Sequence, residues 1–462
     1  MVGYGIGYIG QGSSYNFMGA YFVVFLTNSV GLNAGVAGTI SSIAMLVEVI
    51  AGMIVGNLSD NCTSPMGKRR PFLLTAAIVL PIVMVLITRT IDGSDTTKLV
   101  YYLILSVLFR LAFATFEIPN NAFGAEIATG YDERTKLRTL SRVFSIFGNA
   151  LGYVMPLWIL DLFPKNPSMG WQVNGIIIAV VCFISWMTAV IITKGKSAPA
   201  EPKEKKSNVL REIAVNYIEL SKLKTMRILI VYKAAFASAF GLFNIGTVYY
   251  LKYCLGLDNR YSSYMYVLTI TIFVIMTPIA NKIALVFGKA NQQISVMVFS
   301  ATIGYLVFFL APDSVIGAAL YVIGFSAMQS SFWQLSSSIF YDVVEVDEFV
   351  NGKRREGDIM SLVSVLGTLI TAIIVQMFGF ILGQAGFVSG AETQPQSVLD
   401  FLNISYILIP SVCFTIGFVA LKVFPINKKT FNTLLDALHA KKSGQDTSPY
   451  MEELREVIRV KS

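Results

Sequence analysis

Charge, histidine and cysteine are all scarce in this chain. Only 14% of its 462 residues are Asp, Glu, Lys or Arg, where a soluble protein carries about one quarter. That excludes a large solvated surface. The single histidine, His439, lies close to the C-terminal end, so no His-based metal centre or catalytic base is expected. Cys62, Cys182, Cys254 and Cys413 are scattered, which excludes a disulfide framework and Cys-x-x-Cys metal spacing. Neither a nucleophile motif nor a phosphate-binding loop is present. The chain is therefore expected to have no metal, no cofactor and no enzymatic activity. Residues 1–27 lack the basic n-region of a cleavable signal peptide and read as a first apolar span.

Apolar residues are abundant. They make up 54% of the chain, with 32 Phe, 21 Tyr and 36 Gly, and the mean hydropathy is +0.63. Windows of about 20 apolar residues recur, the length a helix needs to cross the hydrocarbon core. The alternation of a membrane β-barrel is absent. The composition predicts an all-α membrane protein. Twelve spans are read at about 4–27, 36–58, 72–91, 98–121, 140–162, 171–193, 227–254, 262–286, 292–311, 314–340, 359–383 and 401–424.

The net charge of +8 is a topological signal and does not point to nucleic acid. Lys68/Arg69/Arg70, Arg134/Lys136/Arg138/Arg142, Lys282/Lys289, Lys353/Arg354/Arg355 and the bases of the linker and tail fall on one membrane face. That face is expected to be cytoplasmic, with both termini on it, in the inner (plasma) membrane. Residues 1–193 read as an N-terminal six-helix half and 194–226 as a polar linker carrying an amphipathic surface helix at about 208–222. Residues 227–424 form the second six-helix half, and 425–462 a tail that is helical from 428.

Two internal echoes support the division. Glu126, Asp132/Glu133 and Arg138 recur as Asp342, Glu348 and Arg354, and Gly67-Lys68 recurs as Gly288-Lys289. Two pseudo-symmetric six-helix halves resemble the major facilitator fold. The segment Tyr341–Gly357 concentrates five acids and three bases. It reads as a loop at the membrane surface, and with Asp342, Glu345, Glu348, Arg354 and Arg138 as a cytoplasmic gate.

Ionisable groups inside spans are expensive and mark candidate functional sites. Glu48, Arg110, Glu117, Arg142 and Lys233 qualify. Glu117 lies in Phe-Glu-Ile-Pro-Asn-Asn, where Pro119 exposes carbonyls beside Asn120 and Asn121. The competing role for Glu117 is a permanent pair with Arg110 or Arg142, and for Glu48 an interhelical hydrogen bond. Lys233 reads as a boundary base, while Trp333 suits either packing or stacking on a sugar face.

These residues are similar to the glycoside–pentoside–hexuronide:cation symporters, of which the melibiose permease is the best-known member. The resemblance is carried by Tyr4-Gly5-Ile6-Gly7, Thr27-Asn28-Ser29-Val30-Gly31-Leu32, Gly67-Lys68-Arg69-Arg70-Pro71, Glu117-Ile118-Pro119, Ser141-Arg142-Val143-Phe144 and the Asp342–Gly357 segment. It implies substrate contacts at Glu117, Asn121, Arg142, Trp333, Thr368 and Gly12, and cation coupling at Glu48 and Glu117. Gly12, Gly52 and Thr368 stand where the family's sugar-binding aspartate, second cation-site carboxylate and span-eleven lysine fall. Ala51, Ala114 and Asn121 likewise replace the family's cation-site Asn and Thr and a tryptophan. Sodium needs several oxygen ligands and a proton needs one carboxylate, so H+ is expected rather than Na+.

The implied activity is alternating-access symport of a glycoside, pentoside or hexuronide by a monomer surrounded by membrane lipid. The substrate would bind near the midplane between the halves. An amphiphilic, lysolipid-like or steroid-like solute is the alternative on the same fold. A non-transporting membrane sensor is the alternative from another class.

Overall fold

The computed structural model describes residues 2–127, 131–195 and 209–459. The N-terminal part holds α1 (Val2–Asn28), α2 (Ala34–Asp60), α3 (Arg70–Ile87), α4 (Asp95–Ile127), α5 (Tyr131–Tyr153), α6 (Met155–Leu162) and α7 (Pro167–Ile192). The surface helix α8 (Val209–Lys222) leads into α9 (Lys224–Tyr249), α10 (Asn259–Phe287), α11 (Lys289–Leu310), α12 (Val315–Asn351) and α13 (Glu356–Gln384). The chain ends with α14 (Gln396–Asn403), α15 (Ile409–Lys422), α16 (Lys428–Lys442) and α17 (Ser448–Leu454). In a bilayer each backbone N–H must find its acceptor within the segment, which is why long apolar runs become helices.

Among the described residues, eleven helical spans are long and apolar enough to cross a membrane. Helix α1 has a spanning length of 27 residues but falls outside that set. Its glycines and its buried Ser13, Ser14 and Asn16 dilute the apolar stretch and face protein rather than lipid. Local chemistry shapes several other spans. The fifth is two helices, α5 and α6, that meet at Val154 just before Pro156. The seventh and last spans contain π-turns at Tyr250–Cys254 and Ile404–Leu408. The tail is two helices, α16 and α17, separated by a turn in which Gly444 takes φ 68°. Linker residues 196–208 lie outside the described residues.

The segment Tyr341–Gly357 corrects the expected loop. Helix α12 continues through most of it and stops only at Gly352, whose φ of 66° forms a left-handed C-cap. The stretch before Gly352 contains no Gly or Pro to end the helix earlier. The echoed Gly67 and Gly288 take φ 92° and 89°, so both stand in the positive-φ region that favours glycine, shortly before the next helix.

The helices form two compact units. The first comprises the described residues of Met1–Glu204 with Leu242–Ile270 and Ala372–Asn403. Within it, α1 crosses α5 so closely that a methyl on Gly148 would lie 3.0 Å from the Ile9 carbonyl carbon. At the base-poor face, this unit joins α1, α2 and α5 to the ends of α9, α10 and α13. Thr27 and Tyr249 share a hydroxyl hydrogen bond of 2.7 Å, and Tyr253 donates to Asn28 at 3.2 Å. Tyr153 donates to Asn244 at 2.7 Å and stacks on Tyr266 with ring centres 5.0 Å apart. Ser42 donates to Gln376 at 2.9 Å, beside a glycine contact in which a methyl on Gly38 would sit 3.3 Å from Gly379 Cα.

The second unit comprises Thr271–Thr371, Ile404–Ser462 and the described residues of Lys205–Gly241. A buried polar chain holds α9, α11 and α12 together. Tyr232 donates to Gln293 at 2.9 Å, Gln293 to the Ser331 carbonyl at 2.8 Å, and Ser331 to Gln292 at 2.8 Å. Only the Gln292 side-chain nitrogen of this polar chain is left without a partner in the structure, and the bonds that are made tie the three helices together.

Candidate functional site

In the first unit, α1, α2 and α4 bring the intramembrane charges together. Arg110 Nη1 donates to Glu48 Oε2 at 2.7 Å, with side chains 6% and 15% exposed respectively. The guanidinium also lies over the Tyr15 ring, 5.8 Å from its centroid. Arginine stays charged at any physiological pH, so Glu48 has a fixed counter-ion. Glu117 belongs to the same cluster but has a different partner. Its Oε1 accepts from Gln11 Nε2 at 3.1 Å. Thus Arg110 pairs with Glu48, and the expected alternative of an Arg110–Glu117 lock does not form.

Around Glu117, Pro119 lies inside α4 without ending it and withdraws the donor that the Thr115 carbonyl would otherwise receive. Asn120 is buried, and neither atom of its amide has a partner in the structure. Asn121 is exposed and accepts from Tyr8 at 2.9 Å; Tyr8 in turn shares a 2.9 Å hydrogen bond with Tyr4. Arg142 stands exposed on α5.

Gly12 is a correction. It is buried at the α1–α5 crossing, where an added methyl would lie 3.1 Å from the Asn149 backbone nitrogen. Its lack of a side chain therefore serves helix packing. Gly52 differs, since the nearest atom to an added methyl is Ile118 Cδ1 at 3.8 Å. Ala51 and Ala114 are 3% and 2% exposed and supply no side-chain oxygen.

In the second unit, Trp333 is 44% exposed. It is held edge-on by Phe236 and Phe240, each with ring centres 6.1 Å from its own. Thr368 is half-buried, and its hydroxyl donates to the Ser364 carbonyl of its own helix at 3.3 Å. Lys233, read from sequence as a boundary base, instead lies inside this cluster. Its ammonium sits 5.1 Å from the Phe332 ring centre and 5.6 Å from that of Trp333.

The expected gate residues are paired within the second unit. Lys289 binds Asp342 at 2.6 Å, and Arg354 binds Glu345 at 3.0 Å and Glu348 at 2.8 Å. Lys442 of the tail adds a second bond to Glu348 at 2.6 Å. The Arg138 side chain lies outside the described residues. Sequence reasoning missed the more buried pair beside them. Arg355, 7% exposed, binds Asp347, 0% exposed, at 2.6 Å. Arg355 also reaches Glu219 of α8, and its positive charge holds that carboxyl below the usual range. Among the described residues, no group of His, Cys, Asp or Glu is arranged to hold a metal ion.

Among the described residues the fold is an all-helical membrane fold of the major facilitator class, and the family match makes the chain a secondary active transporter. The family model described as MFS/sugar transport protein matches residues 3–428, and the chain belongs to that family, within its glycoside–pentoside–hexuronide:cation symporters. It is 25% identical over 437 residues to the uncharacterized symporter YjmB of Bacillus subtilis, covering 90% of each chain. It is 23% identical over 471 residues to the glucuronide carrier protein homolog of Escherichia coli, covering 96% of each. The solved D-xylose-proton symporter shares the fold, with a TM-score of 0.65 at 18% identity over 91% of this chain and 95% of that one.

Proposed function

We propose that this symporter carries a glycoside-like solute together with a proton, and that Glu117 is the proton-carrying acid. The observation behind this reading is the division of partners: Glu48 is bound to Arg110 at 2.7 Å, whereas among the described residues Glu117 accepts an amide N–H from Gln11 at 3.1 Å and pairs with no cation. Glu117 can therefore gain and lose a proton without breaking an ion pair, and Glu48 cannot. Sodium is disfavoured because Ala51, Gly52 and Ala114 provide no side-chain oxygen and Arg110 already neutralises the one remaining carboxylate of span two.

Within the first unit, solute recognition is assigned to Glu117, Asn121 and Arg142; within the second unit, Trp333 and Thr368 are assigned the same task separately. The base-rich face is taken as the cytoplasmic side of the inner membrane, with both termini on it. During the cycle Arg354, Glu345, Glu348 and Asp342 would exchange their present partners.

Uptake into proteoliposomes under an imposed pH gradient, compared with an imposed sodium gradient, tests the reading. Accumulation driven by the pH gradient alone supports it. Accumulation that needs sodium, or that follows neither gradient, contradicts it.

A further inference from the structure

Gln11 meets Glu117 with only half of its amide. Its Nε2 donates to Glu117 Oε1 at 3.1 Å, while its own Oε1 is buried and has no hydrogen-bond partner among the described residues. A buried acceptor left unpaired is costly. Rotation of α1 cannot relieve it, because the glycines on either side are packed against other helices. A methyl on Gly10 would lie 3.0 Å from Cys182 Cα, and one on Gly12 would lie 3.1 Å from the Asn149 backbone nitrogen. Helix α1 is thus wedged against α7 and α5, and Gln11 stays opposite α4.

A carboxylate can only accept, so it uses the N–H side of an amide and leaves the amide carbonyl idle. A protonated carboxyl carries an acceptor and a donor side by side. It fits a primary amide edge to edge, the amide N–H donating one way and the acid O–H the other. Tyr15 of α1, Glu48 of α2 and Arg110 of α4 act on the same cluster, and α5 carries the exposed Arg142. Arg110 can only donate, and it already holds Glu48 at 2.7 Å. The idle carbonyl of Gln11 is therefore the acceptor that suits the acid form.

Resting on the proposed role of Glu117 as the proton-carrying acid, we propose that Gln11 is the positioning residue that recognises its protonated form. The proton arrives from water on the carboxyl oxygen that Nε2 does not engage. It is donated to Gln11 Oε1, closing a second hydrogen bond beside the first. Loading the proton adds a bond between α1 and α4, and releasing it to water leaves the single bond again.

Acid-minus-alkaline infrared difference spectra of the purified full chain in lipid vesicles test this without any solute. A carboxylic C=O band that titrates in the wild type and vanishes in Glu117→Gln belongs to Glu117. In Gln11→Leu that band should move to higher wavenumber, because the acid O–H has lost its acceptor. In wild-type protein containing glutamine isotope-labelled at the side-chain carbonyl, a label-sensitive amide band should shift with the same midpoint. That second measurement needs no substitution of Gln11, so a variant that fails to fold does not shelter the proposal. An unmoved Glu117 band in Gln11→Leu, or a transition without the amide change, overturns the role of Gln11 and leaves Glu117 as the proton carrier. A band that moves in the double variant Glu48→Gln with Arg110→Gln, but not in Gln11→Leu, makes Glu48 the acceptor and overturns it too. If no titrating band belongs to Glu117, the proton-carrying reading and this inference fail together.

Discussion

Arg110 Nη1 and Glu48 Oε2 lie 2.7 Å apart across α4 and α2, and among the described residues no cation pairs with Glu117. Two carboxylates in one cluster thereby acquire different chemistry. On the proposed reading, one is a fixed counter-ion and the other exchanges a proton. The separation depends on a single guanidinium, so it can be dissected by substitution.

Glu117→Gln is expected to abolish gradient-driven accumulation while leaving some exchange of bound solute. An isosteric amide keeps a partner for Gln11 but cannot carry a proton. The loss in concentrative uptake should be at least about a hundredfold, the lower end of the range for a positioned acid or base. Uptake and counterflow measured on the same vesicles separate the two effects.

Arg110→Gln alone is expected to be more damaging than the double substitution Glu48→Gln with Arg110→Gln. Removing one member leaves an uncompensated buried charge, a loss of about 3–5 kcal/mol, whereas removing both can be nearly neutral. Thermal unfolding in detergent should therefore rank the double variant above the single one.

Gly12→Asp is not expected to create a sugar-binding acid. The new Cβ would collide with Asn149 at the α1–α5 crossing, and overpacking of this kind costs about 1–3 kcal/mol. Gly52→Ala, whose added methyl meets only Ile118 at 3.8 Å, should be close to neutral. The two melting temperatures provide the check.

At the base-rich end of α12, Arg355→Gln should destabilise by about 3 kcal/mol, because Asp347 is left as a buried, unpaired charge. Arg354→Gln, whose guanidinium is half exposed, should cost no more than about 1 kcal/mol. The Glu219–Arg355 contact adds a pH dependence of known sign. Glu219 has a depressed pKa in the folded chain, so its contribution is present above the ordinary carboxylate value and is lost as pH falls through the folded one. Acid melts of wild type and Glu219→Gln should diverge above that window and converge below it.

Much of the fold could be read from hydropathy, because a membrane leaves helices as the only open solution for a run of about 20 apolar residues. The surface helix at Val209–Lys222 was equally legible from its amphipathic pattern. Side-chain partnership was not. Which carboxylate Arg110 takes depends on helix rotation, and apolar spans with polar residues on several faces do not encode rotation by period alone. Gln11 was hidden for that reason, as one amide among the glycines of α1. Lys233 was misread because position near a span's end suggests snorkelling, and only the gap at Gly367 shows that it turns inward. Gly12 stands where the family resemblance puts a binding aspartate, yet close helix packing explains that glycine. Arg355 was passed over for its neighbour Arg354, since adjacent bases in sequence give no sign of which one is buried.

Proton movement during solute entry tests the role of Glu117 most directly. In sodium-free proteoliposomes, a pH-sensitive dye outside should report alkalinisation when solute is added to the wild type and to the double variant Glu48→Gln with Arg110→Gln. Glu117→Gln should give none. Undiminished alkalinisation in Glu117→Gln, or its loss from the double variant despite intact solute binding, would contradict the assignment.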